Sequence, residues 1–266
     1  MTEFGFLGTG NMGGALARAV CRSVSPVQVL LANRTPEKAR ALAQELGCRF
    51  TDRKTVAGDV EFLFLGVKPQ MMAGLLTEIG PVLSQRTDRF ILVTMAAGLS
   101  IADLRRMAGG NYPVIRIMPN TPVAVGEGMV LYTSDGVTPE ELGMFLDAMS
   151  GAGRLTELPE NLIDAGCAVS GCGPAFVDLF IEALADGGVA CGLPRSKALE
   201  LAAQMTAGSA RLVLESGRHP GELKDAVCSP GGSTIQGVRA LEGSAFRSAV
   251  MDAVIAAYDK TRELGK

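Results

Sequence analysis

Apolar residues follow two rhythms along this chain, and the change falls near residue 160. Before it, short apolar runs alternate with helical periodicity. Phe4–Leu7 is a short apolar strand, followed by helical spacing over Met12–Arg22. Val27–Ala32 is a second strand. Thr35 and Pro36 then open a helix, a capping residue ahead of a proline in the first position. Glu61–Leu65, Arg89–Val93 and Val114–Met118 read as further strands, with helices near Met71–Ile79 and Ile101–Met107. Met129–Tyr132 and Arg154–Glu157 add two short strands, and Thr138-Pro139-Glu140-Glu141 starts a helix between them. Strands alternating with helices predict a doubly wound parallel sheet covered on both faces.

Beyond residue 160 the strand rhythm stops. Pro174–Cys191 has Phe176, Phe180, Ile181 and Leu184 at helical spacing, and Gly192-Leu193-Pro194 breaks it. Pro194–Glu215, Pro220–Val227, Thr234–Glu242 and Phe246–Glu263 complete an all-helical half. The pattern divides the chain into residues 1–160 and 161–266. Asp178, Glu182 and Asp186 lie four residues apart on one helix, where like charges repel, and read as a solvated face.

Composition narrows the classes. A net charge of -3 gives no electrostatic case for nucleic acid. No apolar run is read as long enough to span a membrane. Cys21, Cys48, Cys167, Cys172, Cys191 and Cys228 show no Cys-x-x-Cys spacing and read as reduced thiols of a cytoplasmic protein. The 1 histidine, His219, precedes a proline and suits a loop or helix cap better than a metal site or a catalytic triad. Any chemistry therefore runs without a histidine pair, or with a cofactor supplying the hard step.

Two motifs point to that chemistry. Gly8-Thr9-Gly10-Asn11-Met12-Gly13 follows a strand and opens a helix, the context of a dinucleotide site. Its first glycine permits the turn, its second lets pyrophosphate approach the backbone, and its third lets helix and sheet pack closely. Where NAD-specific sites end the second strand in a carboxylate, this chain has Asn33, followed by Arg34 and Thr35. Donors and positive charge there favour a 2′-phosphate, hence NADPH over NADH. Val67-Lys68-Pro69, Ala96-Ala97-Gly98 and Asn120 each follow a strand of the sheet and border the same crevice. The second motif is Ser229-Pro230-Gly231-Gly232-Ser233-Thr234. Ser233 with Gln236 reads as a capping box, so a helix starting at Ser233 would aim the Gly231, Gly232 and Ser233 N–H groups at a small anion such as a carboxylate.

With these motifs in place, the chain resembles the pyrroline-5-carboxylate reductase family. Ser170-Gly171-Cys172-Gly173-Pro174-Ala175-Phe176, Glu182–Val189, Gly192–Arg195 and the stretch from His219 to Ile235 join the N-terminal motifs, in order, over nearly the whole chain. The resemblance implies a Rossmann domain followed by an all-α dimerisation domain, and a homodimer or larger assembly of dimers. It implies reduction of 1-pyrroline-5-carboxylate to proline with NADPH or NADH, the last step of proline biosynthesis. Carried over by position, Ser229, Gly231, Gly232 and Ser233 would hold the substrate carboxylate. The Thr234 hydroxyl would face the ring nitrogen as the catalytic group, and Glu160 would lie near the substrate. Cys172 and Cys228 stand where the family often has Ser or Thr, and Ala226 where some members have a polar residue reaching the cofactor. A related 3-hydroxyacid dehydrogenase would need a lysine on the Pro174–Cys191 helix, which has none. A cofactor-binding regulator without catalysis would not need the Ser229–Thr234 site.

Overall fold

The computed structural model describes residues 3–264. Its first half is β1 (Phe4–Leu7), α1 (Asn11–Ser23), β2 (Val29–Ala32), α2 (Pro36–Leu46), β3 (Arg49–Phe50), α3 (Arg53–Asp59), β4 (Phe62–Leu65) and α4 (Pro69–Leu83). The order continues with β5 (Ile91–Thr94), α5 (Ile101–Ala108), β6 (Val114–Met118), β7 (Gly128–Asp135), α6 (Pro139–Met149) and β8 (Gly153–Glu157). Helices follow: α7 (Ile163–Gly166), α8 (Gly173–Ala190), α9 (Arg195–Ser216), α10 (Pro220–Ala226), α11 (Ser233–Gly243) and α12 (Phe246–Leu264). Contacts divide the chain into two units. One runs to Cys172 and includes the residues from Ala257 on; the other is Gly173–Ala256.

The first unit is built on one sheet in the order β3-β2-β1-β4-β5-β6-β7-β8. The strands from β3 to β6 pair in parallel. Their fully buried apolar runs match a sheet covered on both faces. Leu16, Leu42 and Phe145 from α1, α2 and α6 pack into one layer. Val56, Leu76 and Leu104 from α3, α4 and α5 pack into the other. The β1–β4 register stacks Phe6 on Phe64 with ring centroids 4.3 Å apart.

Three details differ from the expected strands and helices of this unit. β7 pairs antiparallel to β6, because no crossover helix separates them, while α6 returns the chain so that β8 runs parallel to β7. β3 and α3 were not expected: β3 has only 2 residues, too few for a period, and α3 has few apolar residues. α3 is instead defined by its cap, where the Asp52 carboxylate accepts the Lys54 and Thr55 N–H groups. Thr35 sits at the N-cap of α2 but makes no side-chain capping bond there.

The second unit is all helix. Its α8 and α9 meet through small residues: a Cβ added at Gly188 would lie 3.2 Å from the Ala198 Cβ. Ala185, Ala198 and Ala202 are its only fully buried hydrophobic residues among those described, while Leu179, Leu201, Leu214, Met251 and Ile255 are exposed. Asp178 and Glu182 are solvent-exposed as expected, and Asp186 pairs with Arg195. His219 caps α10, its Nδ1 accepting the Gly221 N–H at 3.1 Å.

The expectation about membrane-length runs needs correction. Glu160–Ala190 is one helical stretch of 31 residues, long and apolar enough to cross a membrane by length and composition. The helix was expected only from Pro174, but a wide turn at Cys167–Gly171 carries it through, with the Cys172 N–H bonding the Cys167 carbonyl.

Candidate functional site

The residues expected at the cofactor site lie at the C-terminal ends of the parallel strands, the edge where open α/β sheets bind ligands. Gly8–Gly13 joins β1 to α1. Asn33, Arg34 and Thr35 follow β2, Val67, Lys68 and Pro69 follow β4, Ala96, Ala97 and Gly98 follow β5, and Asn120 follows β6.

Each motif glycine has a distinct reason to be glycine. Gly8 has φ +110, and a Cβ there would stand 2.4 Å from the Gly66 carbonyl oxygen. A Cβ on Gly13 would come within 2.1 Å of the Gly8 carbonyl oxygen, so only glycine lets α1 approach β1 this closely. At Gly10 a Cβ would meet nothing within 4 Å. That open space lies over the first turn of α1, whose N-cap offers no side-chain acceptor to its N–H groups. A pyrophosphate fits such a cradle. The buried Thr9 hydroxyl in the same loop has no hydrogen-bond partner among the described residues.

A cavity of about 290 Å3 lies beside the end of β2, lined by Gly8, Asn33, Arg34, Arg53, Val67 and Glu78 among others. Arg34 is exposed and forms no ion pair with the described residues. Arg53 and Glu78 form an ion pair at 2.7 Å on the wall. The sequence pattern did not reveal the pair: α3 was missed, and Glu78, on the expected α4, lies 25 residues from Arg53.

Two expected site residues are already engaged within this unit. Asn120 is buried; its Nδ2 donates to the Ser170 carbonyl at 3.0 Å, and its Oδ1 accepts the Met129 N–H at 2.9 Å. It thereby ties the end of β6 to the start of β7 and to the Ser170 turn. The Glu160 Oε1 accepts the Ile101 N–H at 2.7 Å and lies 3.5 Å from Arg116. Arg116 is 3% exposed and also pairs with Asp164 at 2.7 Å, so a buried cation is shared by two carboxylates. An arginine inside the apolar run Val114–Met118 was the available signal for this network. Nearby, burial pushes the Cys167 thiol up to about 11.

The Ser229–Thr234 motif lies in the helical unit. Gly231 adopts φ +71, and Gly232 follows in extended conformation as the N-cap of α11. Ser233 is therefore the first helical residue rather than the cap, and the expected capping box is absent. The left-handed turn at Gly231 ends the loop one residue early. The Gly232 N–H, expected to face the anion, instead donates to the Ser229 carbonyl at 3.0 Å. No side chain caps this helix, so its first N–H groups, from Ser233 onward, stay open. A Cβ on Gly232 would lie 2.4 Å from the Ser229 Oγ, so the hydroxyl sits close against the turn. Ser229, Ser233 and Thr234 are exposed.

Known proteins resemble both halves of the chain. Residues 160–264 match the family model described as pyrroline-5-carboxylate reductase dimerisation, and residues 3–98 match one described as NADP oxidoreductase coenzyme F420-dependent. The pyrroline-5-carboxylate reductase of Escherichia coli (strain K12) is 40% identical over 268 residues, covering 99% of this chain and 98% of that protein. The Arabidopsis thaliana enzyme of the same name is 40% identical, covering 99% and 96%. Among solved structures, the Plasmodium falciparum pyrroline carboxylate reductase with NADP bound aligns with a TM-score of 0.88 at 32% identity, covering 100% of this chain and 98% of that one.

Proposed function

The chain belongs to the pyrroline-5-carboxylate reductase family, and we propose that it makes proline by reducing 1-pyrroline-5-carboxylate with NADPH, or NADH, through the residues described above. The observation that carries the substrate assignment is the uncapped start of α11 behind the left-handed Gly231. Its N–H groups and the Ser229 hydroxyl hold the substrate carboxylate, which orients the ring. Thr234 donates its hydroxyl hydrogen bond to the ring nitrogen, or accepts from it, as that nitrogen becomes an amine. Glu160, fixed by the Ile101 N–H and Arg116, is the acid on the substrate side.

The cofactor's nicotinamide, when bound, supplies hydride to the imine carbon. The chain's part is to position it. Gly8, Thr9, Gly10, Asn11, Met12 and Gly13 receive the pyrophosphate, and Asn33, Arg34 and Thr35 receive the adenosine ribose and its 2′-phosphate. Val67, Lys68, Pro69, Ala96, Ala97 and Gly98 border the remainder. Asn120 acts there through the turn it braces. A protonated cyclic imine is already electrophilic, so the protein contributes position and electrostatics. That agrees with a chain whose 1 histidine caps a helix.

Residues 1–160 are assigned to NADP(H) binding and 161–266 to dimerisation and substrate binding. The functional division differs from the contact division because Ile163 and Cys167 pack with Met118 and Leu131. The assembly is a homodimer or a multiple of it, formed by the apolar faces of the helical unit and supported by the dimerisation model over 160–264. The apolar helix Glu160–Ala190 is then covered by protein, without a membrane. Six free thiols support a cytoplasmic setting.

The test is NADPH oxidation on addition of 1-pyrroline-5-carboxylate, with 3-hydroxyisobutyrate plus NADP as the control. Turnover of the imine alone supports the reading. Turnover of the hydroxyacid alone, or of neither, contradicts it.

A further inference from the structure

The first turn of α3 meets α4 on the wall of the cavity beside Asn33 and Arg34. Asp52 fixes that turn: it accepts the Lys54 and Thr55 N–H groups at 2.9 and 3.0 Å and the Thr55 hydroxyl at 2.6 Å. Arg53, the next residue, is therefore held by its backbone where its side chain reaches the cavity. Its side chain is 20% exposed, and its Nη1 donates to the Glu78 Oε2 at 2.7 Å. The other N–H groups of the guanidinium make no hydrogen bond to the described residues, leaving most of its five donors open.

Charge balance gives the pair a function. The cavity wall carries Arg34, Arg53 and Glu78, two cations and one anion. A phosphomonoester there brings about -1.5 to -2 at neutral pH. Arg34 alone would face that charge with an acid lining the same cavity. Arg53 lies between the two requirements: it neutralises Glu78 and has spare donors for a phosphate.

We propose that Arg53 is a second recognition residue for the 2′-phosphate of the cofactor, and that Glu78 competes with the phosphate for it. The preference for NADPH is then shared between Arg34 and Arg53 and is lowered by Glu78. This rests on the NADP(H) reading of the cavity. An ordinary solvated ion pair would have no bearing on which nucleotide binds.

Calorimetric titration of the intact protein with adenosine 2′,5′-bisphosphate and with adenosine 5′-monophosphate tests the proposal without turnover. Arg53→Gln weakens the bisphosphate by about tenfold, the scale of one charge-assisted bond, and leaves the monophosphate unchanged. Glu78→Gln tightens the bisphosphate by about threefold and again leaves the monophosphate unchanged. Equal weakening of both ligands by Arg53→Gln, or no change in either, overturns the proposal. Glu78→Gln keeps the question decidable should Arg53→Gln fail to fold, because unchanged or weaker bisphosphate binding in that variant also overturns it. If the unaltered protein does not distinguish the two ligands, the NADP(H) reading falls and Arg53 with it. If Arg34→Ala removes the preference while Arg53→Gln does not, only the role of Arg53 falls.

Discussion

The sheet unit and the helical unit solve the problem of burial in opposite ways. In the first, the strands β1, β2, β4, β5 and β6 are buried along their length, and helices cover both faces. Its most buried arginines are paired in place: Arg86 reaches two backbone carbonyls and Asp88, and Arg116 is shared between Glu160 and Asp164, although its Nε finds no partner among the described residues. In the second, only alanines among the described apolar residues are fully buried; Leu201, Met251 and Ile255 are exposed, and Phe176, Leu179, Phe180 and Phe246 help line an apolar groove of about 430 Å3. A soluble monomer seldom exposes so much apolar surface. The first unit carries its own core; in the second, the larger apolar side chains among the described residues have none. The contrast assigns the work as well. Cofactor binding needs a rigid preformed edge, and the sheet unit provides it. In the proposed reading, substrate capture falls to the Ser229–Thr234 loop of the helical unit.

The largest effect should come from spoiling the incomplete half. Leu179→Asp combined with Leu201→Asp places charge on two exposed faces, and should convert the assembly to monomers with activity lost by on the order of 100-fold or more. Sedimentation velocity reads the mass, and NADPH titration should show the sheet unit still binding. An assembly of unchanged mass would break the comparison.

Next comes the cofactor edge. Arg34→Ala should weaken NADPH by about 10- to 100-fold and barely change NADH. Equal losses for both cofactors would make Arg34 structural. A smaller effect is expected from the substrate loop. Thr234→Val keeps shape and β-branching while deleting the hydroxyl, and should lower kcat by about tenfold, as for a donor that strengthens in the transition state. Gly232→Val should instead raise KM for the imine with NADPH binding kept, since its side chain would collide with Ser229. A wild-type rate in Thr234→Val would remove the hydroxyl from the mechanism.

The smallest effect is on local stability in the self-sufficient half. The Arg89 guanidinium holds the Glu141 carboxyl down to about 2, well below the usual carboxylate range. A depressed carboxylate contributes stability that is fully present above its unfolded value and is lost as pH falls through the folded one. Urea midpoints of wild type and Glu141→Gln should therefore differ near neutrality and converge between pH 4.5 and 2. Parallel curves down to pH 2 would contradict the pairing.

Much of this division was legible in the residues. Phe4–Leu7 and Val114–Met118 are strands over the expected spans, because buried parallel strands leave unbroken apolar runs. The helices after residue 160 stand out because Gly192 and Gly217 end two of them with positive φ. What escaped notice was short or encoded across distance. Arg49–Phe50 has no period to detect, and α3 is announced by an Asp52 cap rather than by an apolar stripe. Ser233 looked like a cap because its spacing to Gln236 is right, yet the turn at Gly231 shifted the helix start by one residue. The Arg116 network and the Arg53–Glu78 pair join residues far apart in sequence, which local pattern cannot reveal.

The central claim is that the sheet unit holds the cofactor alone while catalysis requires the helical units to pair. Sedimentation equilibrium, with specific activity measured over the same dilution series, tests it most directly. The account predicts that activity falls in step with the loss of dimer, while NADPH binding per chain remains. A folded monomer with full specific activity would contradict it.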